Sequence, residues 1–466
     1  MLIEECPYIE PVDAFGAFAM FADSHFLDSG DRDRFSYIVV SPLHKLTAKN
    51  GQVVLDGFDV PGNPFDVLAD LMDRYKSETK DGLPPFQGGA VGYFGYELAH
   101  QTEWLPRAAD DWLSMPDMAV GIYDLVIAFD QLDRRMWLIS TGIPEKLGPK
   151  RDQRAQDRMA LIRKYLRLAR PLIDDVGIPH APSKSGWQSN FTRAQYETAV
   201  QTVIDYIFAG DIFQANLSQS FRGEFARDEV PKRFDLYRRL RDISSAPFGA
   251  FLNFGDVAVI SNSPERFLRV RNGQIETKPI KGTRPRGETP LSDAELAQNL
   301  MLSAKDRAEN IMIVDLLRND ISKVSNPHTV KTPAICALES YANVHHLVST
   351  ITGELKEGKT AIDALQACFP GGSITGAPKI RAMEIITELE ATTRGAYCGA
   401  IGYVGFDGSM DTNIAIRTLS MNGGKMAFNV GGGIVADSDP VLEYEETLVK
   451  ATKMFELFGI DPEALA

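Results

Sequence analysis

The chain has 466 residues, 44% of them hydrophobic and 24% charged, enough to bury two or three structural units. Its net charge of −14 argues against a general nucleic-acid binder, so an anionic substrate must be met by local positive charge. No stretch approaches the ~20 apolar residues of a membrane span, and Met1–Phe26 lacks the basic head and apolar run of a signal peptide; four scattered cysteines (Cys6, Cys336, Cys368, Cys398) without a C-x-x-C pair argue against a disulfide framework or zinc site and fit a reducing cytoplasm.

Residues 1–145 read as mixed strands and short helices. "YDLVIAF" and "MWLIS" have the apolar, β-branched character of buried strands, and "GGAVGYFGYE" (88–97) is the glycine-aromatic text of a strand that another backbone approaches closely. A segment of helix and linker, 146–189, follows. Its arginine-rich helix carries Met159, Leu161, Ile162 and Leu166 on one side, so it reads as a surface helix rather than a nucleic-acid or partner helix. Residues 177–189, "GIPHAPSKSGWQS", are linker text.

In the region 190–456, Thr192-x-x-Gln195 predicts a capping box opening a helix that stops at Gly210, and "IFQANLSQSF" predicts a strand. "PIKGTRPRG" (279–287) reads as a shaped loop around one lysine, Lys281, which is either a solvated surface amine or a nucleophile. Ser303-x-x-Asp306 predicts a second capping box and helix. Asp407-Gly408 and Asn422-Gly423 predict two tight hairpins in an antiparallel meander, and "DPVLEYEETLVKATKMFELFG" predicts a final helix.

If both hairpins have two-residue loops, Tyr397 lies opposite Thr418, and Arg417 lies near Phe428 and Asn429, within a rung or two of Gly431, Gly432 and Gly433. A phenol, a guanidinium and bare backbone amides make a carboxylate clamp. Glu443, Glu446 and Lys450 share one helix face, as do Asp306 and Glu309, so two acidic faces could share Mg²⁺. Singly, each has a plainer reading: Asp306 as a cap, Glu446–Lys450 as a surface pair. "GGSITGAPK" (371–379) fails as a phosphate loop because Ala377 stands where lysine is required, and neither a Rossmann fingerprint nor a G-x-S-x-G elbow appears.

"SPE" (263–265), "PIKGTRPRG", "DLLRND" (315–320), "VHHLVS" (344–349), "GGSITGAPKIRAMEII" (371–386) and "GGGIVADSDP" (431–440) resemble the chorismate-utilising enzymes, the family that makes anthranilate, aminodeoxychorismate, isochorismate and salicylate. The resemblance spans residues from about 190 to about 455 with many motifs in order. It implies an α/β (α+β) fold: a two-sheet sandwich with helices packed outside, the N-terminal region adding strands to the sheets. The water-adding branches carry lysine where this chain has Gln214. The anthranilate-forming branch carries alanine where it has Lys281, and lysine there marks the branch forming 4-amino-4-deoxychorismate, the para-aminobenzoate precursor for folate.

The resemblance therefore implies a transaminase-type, Mg²⁺-dependent enzyme in which Lys281 attacks C2 of chorismate and ammonia then adds at C4. Glu265 would be the general acid/base, with Thr283, His346, Ser373 and Gly376 lining the ring pocket. Glu309 and Glu446 would hold Mg²⁺, with Glu443 and Asp306 nearby. Tyr397, Arg417, Lys450 and the Gly431–Gly433 amides would bind carboxylate. No cysteine sits in a glutaminase motif, which implies a separate glutamine amidotransferase as ammonia source. Relatives bind tryptophan around the stretch here reading "FLDSGDRDRFS"; Ser29, Arg34 and Phe35 match that site and Asp33 departs from it. The competing readings are an anthranilate-forming enzyme and a non-catalytic scaffold or amino-acid-sensing subunit. No nucleic-acid or membrane partner is expected.

Overall fold

The computed structural model describes residues 1–460 apart from 31, 173–175, 180–181, 183–185, 227 and 342–343. Part of the 177–189 linker therefore lies outside the described residues. Among those described, the strands gather in two twelve-stranded sheets whose ladders are antiparallel throughout. Each sheet takes strands from both halves of the chain. The first runs from Leu2–Cys6 through Arg135–Ser140 and Leu125–Asp130 to Phe248–Asn253, Val257–Ser263, Thr418–Asn422, Lys425–Ile434 and Gln214–Glu224. The second pairs Gly89–Phe94 with Ala400–Gly405 and continues through Met410–Ile414 and Arg266–Arg271 to Val344–Glu354 and Ile280–Pro285. This is the sandwich the motifs implied.

The inner faces meet in a core that includes Val39, Tyr93, Val126, Leu252, Val259, Ile401 and Tyr403. Further cores lie outside each sheet, where amphipathic helices bury one side. The arginine-rich helix, Pro149–Leu166, is one of them. It buries Ala155, Met159, Ile162 and Leu166, whereas Leu161, expected on its apolar side, is exposed. The glycines of "GGAVGYFGYE" do what a close backbone approach demands: a Cβ on Gly92 would sit 2.1 Å from the Ala119 carbonyl oxygen. The four cysteines are free, and no described helix is long and apolar enough to cross a membrane.

Four local expectations are corrected. The Asp407-Gly408 hairpin has a three-residue loop, Phe406 to Gly408, because Gly405 pairs with Ser409 and Val404 with Met410. The second hairpin turns at Gly423-Gly424, with Asn422 opposite Lys425. The strands between these turns do not form one meander, since Met410–Ile414 belongs to the second sheet and Thr418–Asn422 to the first. Finally, "PIKGT" is not a loop: Ile280–Pro285 is a strand with a register shift between Ile280 and Thr283, where Gly282 takes φ +84°.

Candidate active site

Two stretches of chain cross between the sheets in opposite directions, side by side. One passes through Pro264 and Glu265, the other through Ala415 to Arg417. They are stitched together: Ile414 N–H donates to the Glu265 carbonyl at 3.0 Å, Asn262 N–H to the Arg417 carbonyl at 3.1 Å, and Ser263 Oγ to the Ile414 carbonyl at 2.6 Å. The crossing holds Arg417 at φ +52°, an uncommon region for a side chain with a Cβ. Glu265 and Arg417 thus meet at the edge of the sandwich although the hairpin registers differ from those expected.

Glu265 is buried, and burial pushes its carboxyl up to about 6 against the opposing pull of the Ser373 hydroxyl and of Lys281. Ser373 Oγ donates to Glu265 Oε1 at 2.8 Å. On the neighbouring bulged strand, burial lowers the pKa of Lys281, and Glu309 and Glu265 act in the other direction. Among the described residues no hydrogen bond or ion pair engages its amine. A Cβ on Gly433 would sit 2.2 Å from Gln214 Nε2 and 3.6 Å from Lys281 Nζ, so amide and amine are neighbours over a bare stretch of strand. Gly376, with φ +155°, packs against Gln214 on the far side, where a Cβ would meet the Gln214 carbonyl at 2.1 Å.

The acidic residues arrive on two helices, Ala304–Ser322 and Pro440–Glu456. Burial raises the pKa of Glu309; Lys281 and Lys305 oppose it, and Asp306 and Glu443 add to it. Burial also raises Glu443, with the Ser438 hydroxyl opposing and Glu446 adding. For Glu446 burial is outweighed by Lys450, whose amine lies 2.6 Å away, and the net shift is downward. Gly432 makes room for this group, since a Cβ there would be 3.2 Å from Glu443 and 3.5 Å from Glu446. Only half of the second capping box forms. Ser303 Oγ accepts from Asp306 N–H, but the Asp306 carboxylate pairs with Arg284 at 3.0 Å.

The chemistry of this donor set fits a hard divalent cation: oxygens only, drawn from two helices, with carboxylates that raise one another's pKa. Among the described residues no three such side chains converge tightly enough to hold an ion alone.

The carboxylate-binding side is built differently from the expected clamp. Among the described residues Arg417 has no carboxylate partner, and desolvation in the cleft lowers its pKa. Tyr397 is buried beside the crossover, where Cys398 N–H donates to the Ala415 carbonyl at 2.9 Å. Lys450 donates to the Gly431 carbonyl at 2.8 Å as well as pairing with Glu446. The three glycine amides are not equivalent. Asn216 N–H donates to Thr375 and Ser218 N–H to Glu390, so the residues opposite them, Gly433 and Gly431, are the non-bonded positions of the ladder. Gly432 exchanges its bonds with Leu217, so of the three amides expected to bind carboxylate those of Gly431 and Gly433 lie outside the ladder.

Thr283 and His346 face each other across adjacent strands with Oγ1 and Nδ1 2.8 Å apart. Burial, with Arg417 nearby, lowers His346 to about 4, so the ring is neutral at physiological pH. Ser29 and Phe35 lie elsewhere, lining a cavity of about 190 Å³ between the sheets with Asp33, Phe248, Arg266 and Asp411. Arg34 does not line it; its guanidinium is held by Asp130 at 2.6 Å and by Asp133. Sequence reading missed two buried ion pairs behind the site, Lys379–Asp320 and Arg394–Glu390. The i,i+4 spacing of Glu390 and Arg394 was a signal, but it reads as a surface pair until both prove to be buried.

A family model described as chorismate binding enzyme matches residues 23–456. The chain belongs to this family. It is 42% identical to aminodeoxychorismate synthase component 1 of Salmonella typhimurium, over 92% of this chain and 91% of that protein. It is 40% identical to anthranilate synthase component 1 of Pseudomonas aeruginosa, over 91% and 85% respectively. The solved anthranilate synthase component I of Streptococcus pneumoniae superposes with a TM-score of 0.81 at 34% identity, covering 91% of this chain and 92% of that one.

The lowered pKa of Lys281 carries a consequence. The amine of a group shifted down loses its proton earlier as pH rises, so it is a better nucleophile at neutral pH than a surface lysine. Competitive labelling with trace acetic anhydride, read peptide by peptide by mass spectrometry, is expected to give Lys281 a lower apparent pKa than exposed Lys359. An equal or higher value excludes a neutral amine in the resting site.

Proposed function

We propose that this chorismate-binding enzyme forms 4-amino-4-deoxychorismate from chorismate and ammonia, the step toward para-aminobenzoate and folate. The observation that carries the reading is Lys281. It is an amine of lowered pKa, without a partner among the described residues, in the field of Glu265 and Glu309 and beside Gln214.

In the first half-reaction the neutral amine bonds to ring carbon C2, the ring double bonds shift, and the C4–O bond breaks. Glu265, whose carboxyl burial raises to about 6, delivers from its protonated form the proton that lets this oxygen leave as water. In the second, ammonia bonds to C4, the double bonds shift back, and the C2–N bond breaks to return the lysine. The net change is the exchange of hydroxyl for amine with loss of water, and the covalent adduct splits one hard displacement into two. Arg417, Tyr397, Lys450 and the Gly431 and Gly433 amides orient the carboxylates, while Thr283 and neutral His346 border the ring. Glu309 and Glu446 would hold Mg²⁺, with Glu443 and Asp306 behind them. When bound, the ion supplies positive charge against a substrate carboxylate.

The name component 1 borne by the Salmonella relative supports a partner subunit, and we assign it the role of glutamine amidotransferase that supplies the ammonia. The four free cysteines agree with a cytoplasmic setting. The 190 Å³ cavity, with Ser29, Asp33 and Phe35 among its walls, is assigned to tryptophan. A second reading, anthranilate formation, is favoured by the likeness to the Pseudomonas and Streptococcus proteins.

Product analysis separates the two. With chorismate, MgCl₂ and ammonium salt, the wild-type chain should yield 4-amino-4-deoxychorismate by mass spectrometry, and Lys281→Ala should lose at least ~100-fold of that rate. Anthranilate alone, or undiminished turnover by the variant, defeats the reading. For the metal, Glu446→Gln should raise the MgCl₂ concentration for half-maximal rate about tenfold or more, whereas an unmoved titration removes Glu446 from the site. L-Tryptophan should raise the Tm of the wild-type chain but not of Ser29→Leu, which fills the polar end of the cavity. Tryptophan does not belong there if the wild-type Tm stays constant.

A further inference from the structure

The loop that presents Ser373 to Glu265 is gripped on both sides by cations. Before Ser373, Lys379 Nζ donates to the Cys368 carbonyl at 2.9 Å, to the Pro370 carbonyl at 2.8 Å and to Asp320 Oδ2 at 2.5 Å. After it, Arg394 donates to the Ile374 carbonyl at 3.1 Å and to the Asn216 carbonyl at 2.6 Å, while Glu390 neutralises it at 2.6 Å. All three ammonium protons of Lys379 are engaged, and its side chain is only 12% exposed, so it is neither a surface lysine nor a second nucleophile.

Between the grips Gly371 and Gly372 bring no side chains, and the Thr375 hydroxyl donates to the Gly371 carbonyl at 3.0 Å. A Cβ on Gly371 would lie 2.5 Å from Ile414 Cδ1, and one on Gly372 would lie 2.8 Å from Leu316 Cδ2. The loop is thus threaded between the returning crossover and the helix bearing Glu309, with its position set by carbonyl grips. A buried ion pair is a poor source of stability, because desolvation offsets the attraction. Its geometric effect is to fix the loop that places the Ser373 Oγ to Glu265 Oε1 bond at 2.8 Å.

We propose that Lys379, backed by Asp320, is a positioning residue for the general acid: by holding the Cys368 and Pro370 carbonyls it keeps the Ser373 hydroxyl on Glu265. The inference rests on the reading of Glu265 as that acid. A hydroxyl donating to a carboxylate stabilises the ionised form, so losing the donor raises the carboxyl pKa. The pH profile of kcat/KM is measured with chorismate, MgCl₂ and a fixed concentration of free ammonia. Ser373→Ala should move the Glu265 inflection upward by about one pH unit. Lys379→Met should move it the same way by at least half as much, the double variant no further than Ser373→Ala, and Lys379→Arg should restore the wild-type inflection. A merely structural lysine would lower the rate at every pH and leave the inflection in place. If Lys379→Met does not fold, Asp320→Asn, which keeps the shape and removes the counter-charge, must show the same upward shift. A shift in Ser373→Ala without one in Lys379→Met (or Asp320→Asn) overturns the positioning role and leaves the acid assignment intact. No shift in Ser373→Ala overturns both.

Discussion

The constraint on which the site depends is that two neighbouring strands change sheets at the same place and in opposite directions. A chain leaving a sheet carries unpaired N–H and C=O groups through the edge of a core, where leaving them unmet is costly. Here each crossover satisfies the other, through the bonds from Ile414 to Glu265 and from Asn262 to Arg417. The solution sets a carboxyl-bearing and a guanidinium-bearing residue, Glu265 and Arg417, on neighbouring backbone segments where the chain passes between the sheets. The bulged strand bearing Lys281 and the glycine-rich end of Lys425–Ile434 border the space between them.

One physical cause then prepares both reacting groups. Burial disfavours the charged form of any side chain, so it raises an acid and lowers an amine. Glu265 rises to about 6 and Lys281 falls, each against the pull of the other. The proposed chemistry asks for a protonated carboxyl and a neutral amine, the pair of states that a poorly solvated pocket favours. The charged groups are segregated toward the helices, where Glu309, Glu443 and Glu446 face Lys305 and Lys450. In the proposed chemistry a protein of net charge −14 takes up a dianion through local positive charge, and Arg417 is without a carboxylate partner among the described residues.

Local text was legible where local physics decides. The capping box at Thr192 forms with both of its bonds, and the Asp439 cap opens the last helix as its sequence suggests. The glycines of residues 88–97 accept the close backbone approach that their composition implied. What failed was long-range register. A two-residue loop and a three-residue loop can share the same Asp-Gly text, and one residue of slip turns a strand over. Nor does anything in "NIAIRTLS" announce that Ile414 ends in one sheet and Thr418 begins in the other, because that choice is made by the partner crossover at Pro264 and Glu265, far away in sequence. Asp306 shows the same limit: its text fits a cap, yet Arg284 offers its carboxylate a full charge, and charge-assisted bonds are the stronger kind.

Gln214 shows how a neutral residue can matter as much as the charged ones. Its Oε1 is buried with no hydrogen-bond partner among the described residues, and its amide adjoins the Lys281 amine over Gly433. A carboxylate there would hold the lysine protonated; a second amine would compete with it for a proton and for Glu309. An amide does neither. It offers an acceptor to a neutral N–H while adding no net charge, so the nucleophile stays uncharged without becoming isolated. In the proposed chemistry the amide therefore favours the free amine that is to bond to the ring.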